Sequence, residues 1–244
     1  MAVNGSAVLQ MGETQSTALF VADADAVAAL CDAVERPAAA ATARARAGAM
    51  RAQLAKLWDP LQGAFADLYV HSGAFSTRIT PTIFYPLLGG AASEAQALAL
   101  LGHLYNKSEF CVSAAPAGSN PDRCYWGLPS VSAADPAFMQ PQGYVYWRGE
   151  AWAPMALLTY WALREAAHVP QVAQAAADLA AQKNEQLLDM WNRNRHICEN
   201  YSPFAPWSNL SPGNNGGRNK SNAECTGWEV RLTFCASAPR LPLP

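Results

Sequence analysis

No run of about eighteen apolar residues occurs in this sequence, so nothing in it reads as a membrane-spanning helix. The N-terminus lacks the charged and apolar regions of a signal peptide, and no targeting segment is expected in this chain. A basic excess is missing too. Lys and Arg number 17 against 19 Asp and Glu, giving a formal charge of −2 and a pI near 6.1. That leaves no positive field to neutralise a phosphate backbone, which excludes nucleic acid as a partner. There are only 4 histidines, and His71, His103 and His168 show no ligand-like spacing. The six cysteines, Cys31, Cys111, Cys124, Cys198, Cys225 and Cys235, include no C-x-x-C pair, so neither zinc nor a redox dithiol is expected. G-x-G-x-x-G, P-loop, G-x-S-x-G and H-E-x-x-H motifs are all absent, as is an aspartate-rich metal motif. No cofactor or metal is expected.

What is present is apolar residue content and aromatic loops. With 244 residues, 51% of them hydrophobic, the chain can bury a sizeable core as one large domain or two small ones. The densest stretch is Tyr144-Val-Tyr-Trp-Arg-Gly-Glu-Ala-Trp-Ala-Pro-Met155, which runs into an apolar helical pattern reaching about His168. Trp147 and Trp152 flank Gly149, and Pro154 suits the first turn of a helix. Flat aromatic faces bind the C–H faces of sugars, and an arginine beside them donates several fixed hydrogen bonds to hydroxyls. The competing structural account makes these rings core and Arg148 the partner of a nearby acid.

The rest of the chain reads as helix pairs joined by long loops. Phe20, Ala24, Val27, Cys31 and Val34 keep helical spacing from about Glu13 to Val34. A second helix from about Ala38 to Trp58 carries the stripe Ala47, Met50, Leu54 and Leu57, with Arg44, Arg46 and Arg51 on the other side. Leu61 to Arg78 is loop-rich, with Gly63 and Gly73 as turn residues and a short hairpin through Phe65 to Val70. Asp59, Asp67 and Asp135 sit where turn-forming is their expected job. Two prolines keep Thr80 to Leu88 from being a long regular element. Ser93 and Gln96 form a capping box that opens a helix through Leu98, Leu101 and Tyr105. A long loop from about Lys107 to Gly143 carries Tyr125-Trp-Gly-Leu-Pro-Ser130. A second hairpin follows, first over Met155, Leu158, Trp161 and Ala162, then over Val172, Ala176, Leu179, Leu187, Met190 and Trp191. Past Arg195 the chain is loop-like. The expected class is all-α, with functional loops at one end.

Five N-x-S sequons, at Asn4, Asn106, Asn200, Asn209 and Asn219, together with the even cysteine count are compatible with an oxidising, glycosylating compartment such as the ER lumen. Serine-rich loops generate the same sequons by chance, and a glycan on Asn200 would obstruct the site described next. The compartment is therefore left open.

Four stretches stand in one order: Phe84-Tyr-Pro-Leu87, Tyr125-Trp-Gly-Leu-Pro-Ser130, Tyr146-Trp-Arg-Gly-x-x-Trp152 and His196-Ile-Cys-Glu-Asn-Tyr201. The ordered set resembles glycoside hydrolase family 63, the processing α-glucosidases and their bacterial and algal relatives, including mannosylglycerate-hydrolase-like proteins. A weaker likeness is to the trehalases. The resemblance spans roughly Glu13 to Trp228. It implies part of an (α/α)6 barrel over residues 1–235, with 236–244 as a tail. It also implies an inverting enzyme that removes terminal α-linked glucose from oligosaccharides without a cofactor. Carried over residue by residue, Glu199 matches the general base. Trp147 and Arg148 match the substrate-contacting Trp-Arg-Gly; Phe84, Trp126, Trp152 and Tyr201 join them as substrate-binding residues, and Trp228 matches the closing tryptophan. An inverting base faces a protonated carboxyl about 6.5–9.5 Å away, across the sugar and its attacking water.

The departure concerns that second carboxyl. The family's general acid is an aspartate in the first half of the barrel, and a full barrel takes about a dozen helices in roughly 350–450 residues. The chain is expected to be the second half, with the N-terminal half of the barrel as its missing partner. Loss of general-acid assistance removes about 10²–10⁴-fold of rate, so little activity on ordinary glycosides is expected from this chain alone. Glu150 occupies a variable place in the motif and is not promoted to the acid. Two other classes compete. One is a sugar-binding or scaffolding helical domain without catalysis, and the other is a toroidal terpene cyclase, which would need the aspartate-rich motif this chain lacks.

Overall fold

The computed structural model describes residues 2–3, 6–7, 11–113, 120, 123–139, 147–194, 200–201 and 203–204. Helices dominate. After the two-residue strands β1 (Ala2–Val3), β2 (Ser6–Ala7) and β3 (Met11–Gly12) come α1 (Thr14–Ala33) and α2 (Pro37–Leu54), which pack as an antiparallel pair. A 3₁₀ turn (Ala55–Leu57) leads into β4 (Trp58–Asp59), β5 (Ala64–Phe65) and β6 (Leu68–Tyr69). A 3₁₀ helix (Pro81–Leu87) and α3 (Glu94–Tyr105) follow. The second half of the described chain holds β7 (Ala151–Trp152), α4 (Ala153–Glu165), α5 (Pro170–Asn194) and β8 (Asn200–Tyr201). Among the described residues no helix is long and apolar enough to cross a membrane.

Local chemistry sets the boundaries. Pro37 and Pro154 each stand in a helix's first turn, where a missing N–H costs nothing. At the start of α3, Ser93 Oγ accepts from Gln96 N at 3.2 Å and Gln96 Oε1 accepts from Ser93 N at 2.8 Å, which is the expected capping box. Asp59 Oδ1 takes Leu61 N at 2.9 Å and Asp135 Oδ1 takes Ala137 N at 2.7 Å, so both aspartates form side-chain turns. Asp67 acts at longer range: its Oδ1 receives Thr14 N at 2.8 Å and satisfies an otherwise unpaired donor at the start of α1. Gly63 and Gly73 both hold φ 66° in turns. The hairpin expected through Phe65 to Val70 is shifted: β5 pairs with β4, while β6 turns back at Gly73 to bridge Leu68 to Phe75 and pairs on its other edge with β3. Strands this short gain little from one partner, and the N-terminal segment supplies the second edge.

The core joins α3, α4, α5 and the 3₁₀ helix around Phe84, Tyr85, Leu100, Leu104, Phe110, Trp126, Leu163 and Leu179, all at most 1% exposed. The α1 stripe expected from spacing is corrected here. Phe20, Val27 and Val34 are 44, 50 and 64% exposed, and the buried face is Thr14, Ala18, Val21 and Ala28. Across from it, α2 buries Ala40, Ala47 and Leu54. Alanine on both surfaces lets the helix axes approach closely, so the seam is made by small side chains and the large ones are left outside. Arg51 ties the pair together by donating to Asp25 on α1 and to the carbonyl of Gly89, while Arg44 pairs with Asp32. In α4 the buried face is Ala156, Thr159, Tyr160, Ala162 and Leu163, and the expected core residue Trp161 is 49% exposed. Val172, Ala176 and Leu179 of α5 are buried as expected. Trp191 is 48% exposed, and the side chain of Met190 lies outside the described residues.

His103, near the end of α3, closes a clamp. Its Nδ1 lies 2.7 Å from Glu109 Oε2 and its Nε2 lies 3.0 Å from the Gln62 carbonyl, with both partners acceptors. A neutral ring carries one N–H and satisfies only one of them. The Glu109 hydrogen bond therefore raises the His103 pKa, against the opposing effect of burial. A raised folded-state value means the clamp's stabilisation is complete below the unfolded pKa and is lost as pH rises through the folded one. The His103→Gln variant should unfold in urea with a deficit of about 1–2 kcal/mol against the parent at pH 5.5. That deficit should shrink toward pH 9. A deficit that grows with pH would refute the charged clamp.

Candidate functional site

Three of the four aromatic motifs meet in one small sheet. β7 pairs antiparallel with β8, setting Ala151 opposite Tyr201 and Trp152 opposite Asn200. On its other edge Ala151 bridges to Pro129, and Ser130 N donates to the Glu150 carbonyl at 3.0 Å. Ser130 Oγ also receives Gly149 N at 3.0 Å, while Met139 N reaches the Arg148 carbonyl at 2.8 Å. The Tyr125–Ser130, Trp147–Trp152 and Asn200–Tyr201 segments are thus fixed by main-chain bonds, which hold through side-chain changes. Asn200 is 7% exposed, so it is an occupied sheet position and a poor glycan acceptor.

Within this frame Trp147 and Trp152 stack face to face, centroids 3.6 Å apart and planes 7° from parallel. Trp152 is 4% exposed and Trp147 52%, so the inner ring backs the outer one. Stacking holds a large apolar face in place. Gly149 makes the geometry achievable. Its φ of 141° is closed to most side chains, and an added Cβ would lie 2.7 Å from Met139 Cγ and 2.9 Å from Phe138. Arg148 is half-buried, and Glu150 is 2% exposed directly before β7.

The remaining expected residues divide. Phe84 is fully buried against Phe110, at 5.9 Å between centroids. Trp126 is 1% exposed, donates Nε1–H to the Leu104 carbonyl at 2.9 Å and lies against Tyr105. In this structure both are enclosed side chains of the core. For Tyr201 the backbone pairing is described and the side chain is not. Glu199 and Trp228 lie outside the described residues; Glu199 directly precedes Asn200, the partner of Trp152.

Residues that sequence reasoning passed over hold the loop in place. From α5, Gln182 accepts Trp126 N at 3.2 Å and donates to the Cys124 carbonyl at 3.0 Å, behaving as one residue of a neighbouring strand. Lys183 Nζ donates to the Trp126 carbonyl at 2.8 Å and to Gln186 Oε1 at 3.2 Å. Burial pushes its ammonium down to about 7. A neutral amine still has two N–H groups, enough for both acceptors. The signal was available, since Gln182, Lys183 and Gln186 interrupt an apolar stripe at helical spacing. A disulfide between Cys111 and Cys124, Cα atoms 5.4 Å apart, closes the same loop from the other side. Among the described residues Cys31 is a free thiol, and no group of three His, Cys, Asp or Glu could hold a metal ion.

Comparison with known proteins identifies the family and the fold. A family model described as the mannosylglycerate hydrolase MGH1-like glycoside hydrolase domain matches residues 4–206. This chain belongs to the MGH1-like glycoside hydrolase family. No curated protein matches it. Among solved structures it is similar to the glycoside hydrolase family 63 mannosylglycerate hydrolase from Thermus thermophilus in complex with glucose, with 22% identity and a TM-score of 0.59 over 80% of this chain and 42% of that one. Neutral trehalase from Saccharomyces cerevisiae aligns at 16% identity and TM-score 0.57, over 82% of this chain and 36% of that one. A sialidase aligns at 14% identity and TM-score 0.60, over 85% and 18%. The MGH1-like chain thus spans about two fifths of the mannosylglycerate hydrolase length, and its all-α fold is part of an (α/α)6 barrel.

The tightest point of the frame is Gly127, where an added Cβ would sit 2.2 Å from the Pro203 carbonyl oxygen and 2.9 Å from its carbonyl carbon. Backbone cannot move aside as a flexible side chain would. The Gly127→Ala variant should lose about 2–4 kcal/mol of unfolding free energy in a urea titration. A loss under about 0.5 kcal/mol would show that 127 and 203 are not in contact.

Proposed function

We propose that this chain carries the general-base side of an inverting glycoside hydrolase acting on a terminal α-linked hexose of a short oligosaccharide or glycoside. Glucose is the first candidate, and the names of the similar hydrolases make α-mannose the second. The observation that supports this most is the β7–β8 pairing, which sets the residue after Glu199 opposite Trp152, behind the exposed Trp147 ring. In the proposal Trp147 receives the C–H face of the sugar and Arg148 donates to its hydroxyls. Glu199, ionised, deprotonates the water that attacks the anomeric carbon from the face opposite the leaving group, so configuration inverts. Trp152 backs the platform; Tyr201 and Trp228 complete the pocket. Phe84 and Trp126, being enclosed, hold the motif segments in place behind it. Residues 1–235 make up the catalytic part in this reading and 236–244 a tail. The general acid comes from barrel residues outside the segment that the resemblance covers.

The experiment separates base from acid. Fluoride leaves with little protonation, so α-glucosyl and α-mannosyl fluoride report on the base alone, whereas maltose requires both carboxyls. Proton NMR of the purified chain should show β-hexose appearing first from one fluoride while maltose stays intact, and Glu199→Gln should slow that turnover about 10²–10⁴-fold. Appearance of the α-anomer first, or full activity in Glu199→Gln, would remove Glu199 from the proposed role. A folded chain that binds these sugars and turns over neither fluoride would favour the sugar-binding reading.

A further inference from the structure

Away from Trp147 and Arg148, a cavity of about 670 Å³ opens between the loop before the 3₁₀ helix and the turn at Asp135. Its size falls within the range of small-molecule sites. The polar groups on its wall are already held by the protein. Arg78 Nε pairs with Asp135 Oδ2 at 3.0 Å, and Asp135 Oδ1 is fixed by Ala137 N at 2.7 Å. Asp67 Oδ1 is committed to the first N–H of α1, and the Thr80 and Thr82 hydroxyls bond each other at 2.6 Å. What these bonds leave over is specific. Arg78 makes no other side-chain hydrogen bond among the described residues, which leaves its two terminal amino groups as paired donors. Asp67 keeps its second oxygen as an acceptor. Tyr69 adds an aromatic face, 46% exposed.

Paired donors, a carboxylate acceptor, hydroxyls that both give and accept, and one open ring form a set that recognises a neutral polyhydroxylated ring. Two carboxylates against one guanidinium give the wall a net negative charge, which disfavours an anionic ligand. We propose that this cavity is a second carbohydrate subsite, taking a neutral hexose unit with Arg78 and Asp67 on its hydroxyls and Tyr69 beneath its C–H face. The turn that forms one wall runs from Asp135 to Met139, whose N–H bonds the Arg148 carbonyl and whose side chain packs beside Gly149. The subsite wall is therefore joined to the Trp147 segment by a main-chain hydrogen bond, yet neither Trp147 nor Arg148 lines the cavity, and the subsite does not depend on the role given to Glu199.

The test is isothermal titration of the full chain, of Arg148→Ala, and of Arg148→Ala combined with Arg78→Met or with Tyr69→Ala, with maltose, and in parallel with malonate. Arg78 and Tyr69 are both substantially exposed, and either variant alone decides the matter if the other misfolds. Maltose should bind Arg148→Ala, and its affinity for that variant should fall at least about tenfold when Arg78→Met or Tyr69→Ala is added to it, a loss of about 1.4 kcal/mol. Malonate should not compete. Undiminished maltose binding in both cavity variants, no binding to Arg148→Ala, or displacement of maltose by malonate would each overturn the subsite. Absence of fluoride turnover in the earlier experiment leaves this result untouched.

Discussion

Everything at the candidate site depends on Ala151 being paired on both edges. One edge bridges to Pro129 and the other carries Tyr201, so a strand of two residues gathers segments that lie some twenty and fifty residues away in sequence. Strands so short are not stable by themselves. They persist because each neighbour is secured elsewhere: Pro129 through the Trp126 segment gripped by Gln182 and Lys183, and β7 through its direct continuation into α4. The helices supply rigidity, and the sheet turns that rigidity into fixed positions for aromatic and charged side chains.

The helical layer follows a different rule. Where α1 meets α2, alanines form the seam, and bulky residues such as Phe20 and Leu30 are turned outward. Small residues at a helix contact bring backbones close and increase dispersion contacts per unit length, so a seam poor in large side chains can still be tight. An outward row of large apolar side chains on the same helix suits an alternating toroid, in which each helix has neighbours on more than one side. Membership of the MGH1-like family, with about two fifths of the relative's length represented, accords with that geometry.

Much of this was legible beforehand because it rests on local chemistry. Pro154 at a first helical turn, the Ser93–Gln96 box, the glycine turns and the turns at Asp59 and Asp135 are decided within four residues, and the structure contains each of them, whereas Asp67, expected to form a turn as well, instead caps Thr14 across 53 residues. Which face of α1 is buried was not legible, because Phe20, Val27 and Val34 keep the same period as Ala18, Val21 and Ala28, and hydrophobicity favours the wrong set. The choice between them belongs to the partner helix. The pairings of β3 with β6 and β7 with β8 were invisible for the same reason: two-residue strands have no period, and their partners are remote. Gln182 and Lys183 were readable as polar breaks in an apolar stripe, yet only the fold shows what they hold.

The aromatic residues of the motifs are consequently placed in two ways that sequence does not separate. Trp126 spends its N–H on the Leu104 carbonyl and its ring on Tyr105, a use of the side chain that leaves nothing for a ligand. Trp147 has one face against Trp152 and is half exposed. The difference lies in the backbone. Trp126 sits where Gln182 and Lys183 draw the chain down onto α5, whereas Trp147 precedes Gly149, whose φ of 141° turns the chain sharply before β7. A residue able to adopt that angle is what lets one tryptophan of the pair lie under the other, so the outward face of the site is set by a glycine as much as by the rings.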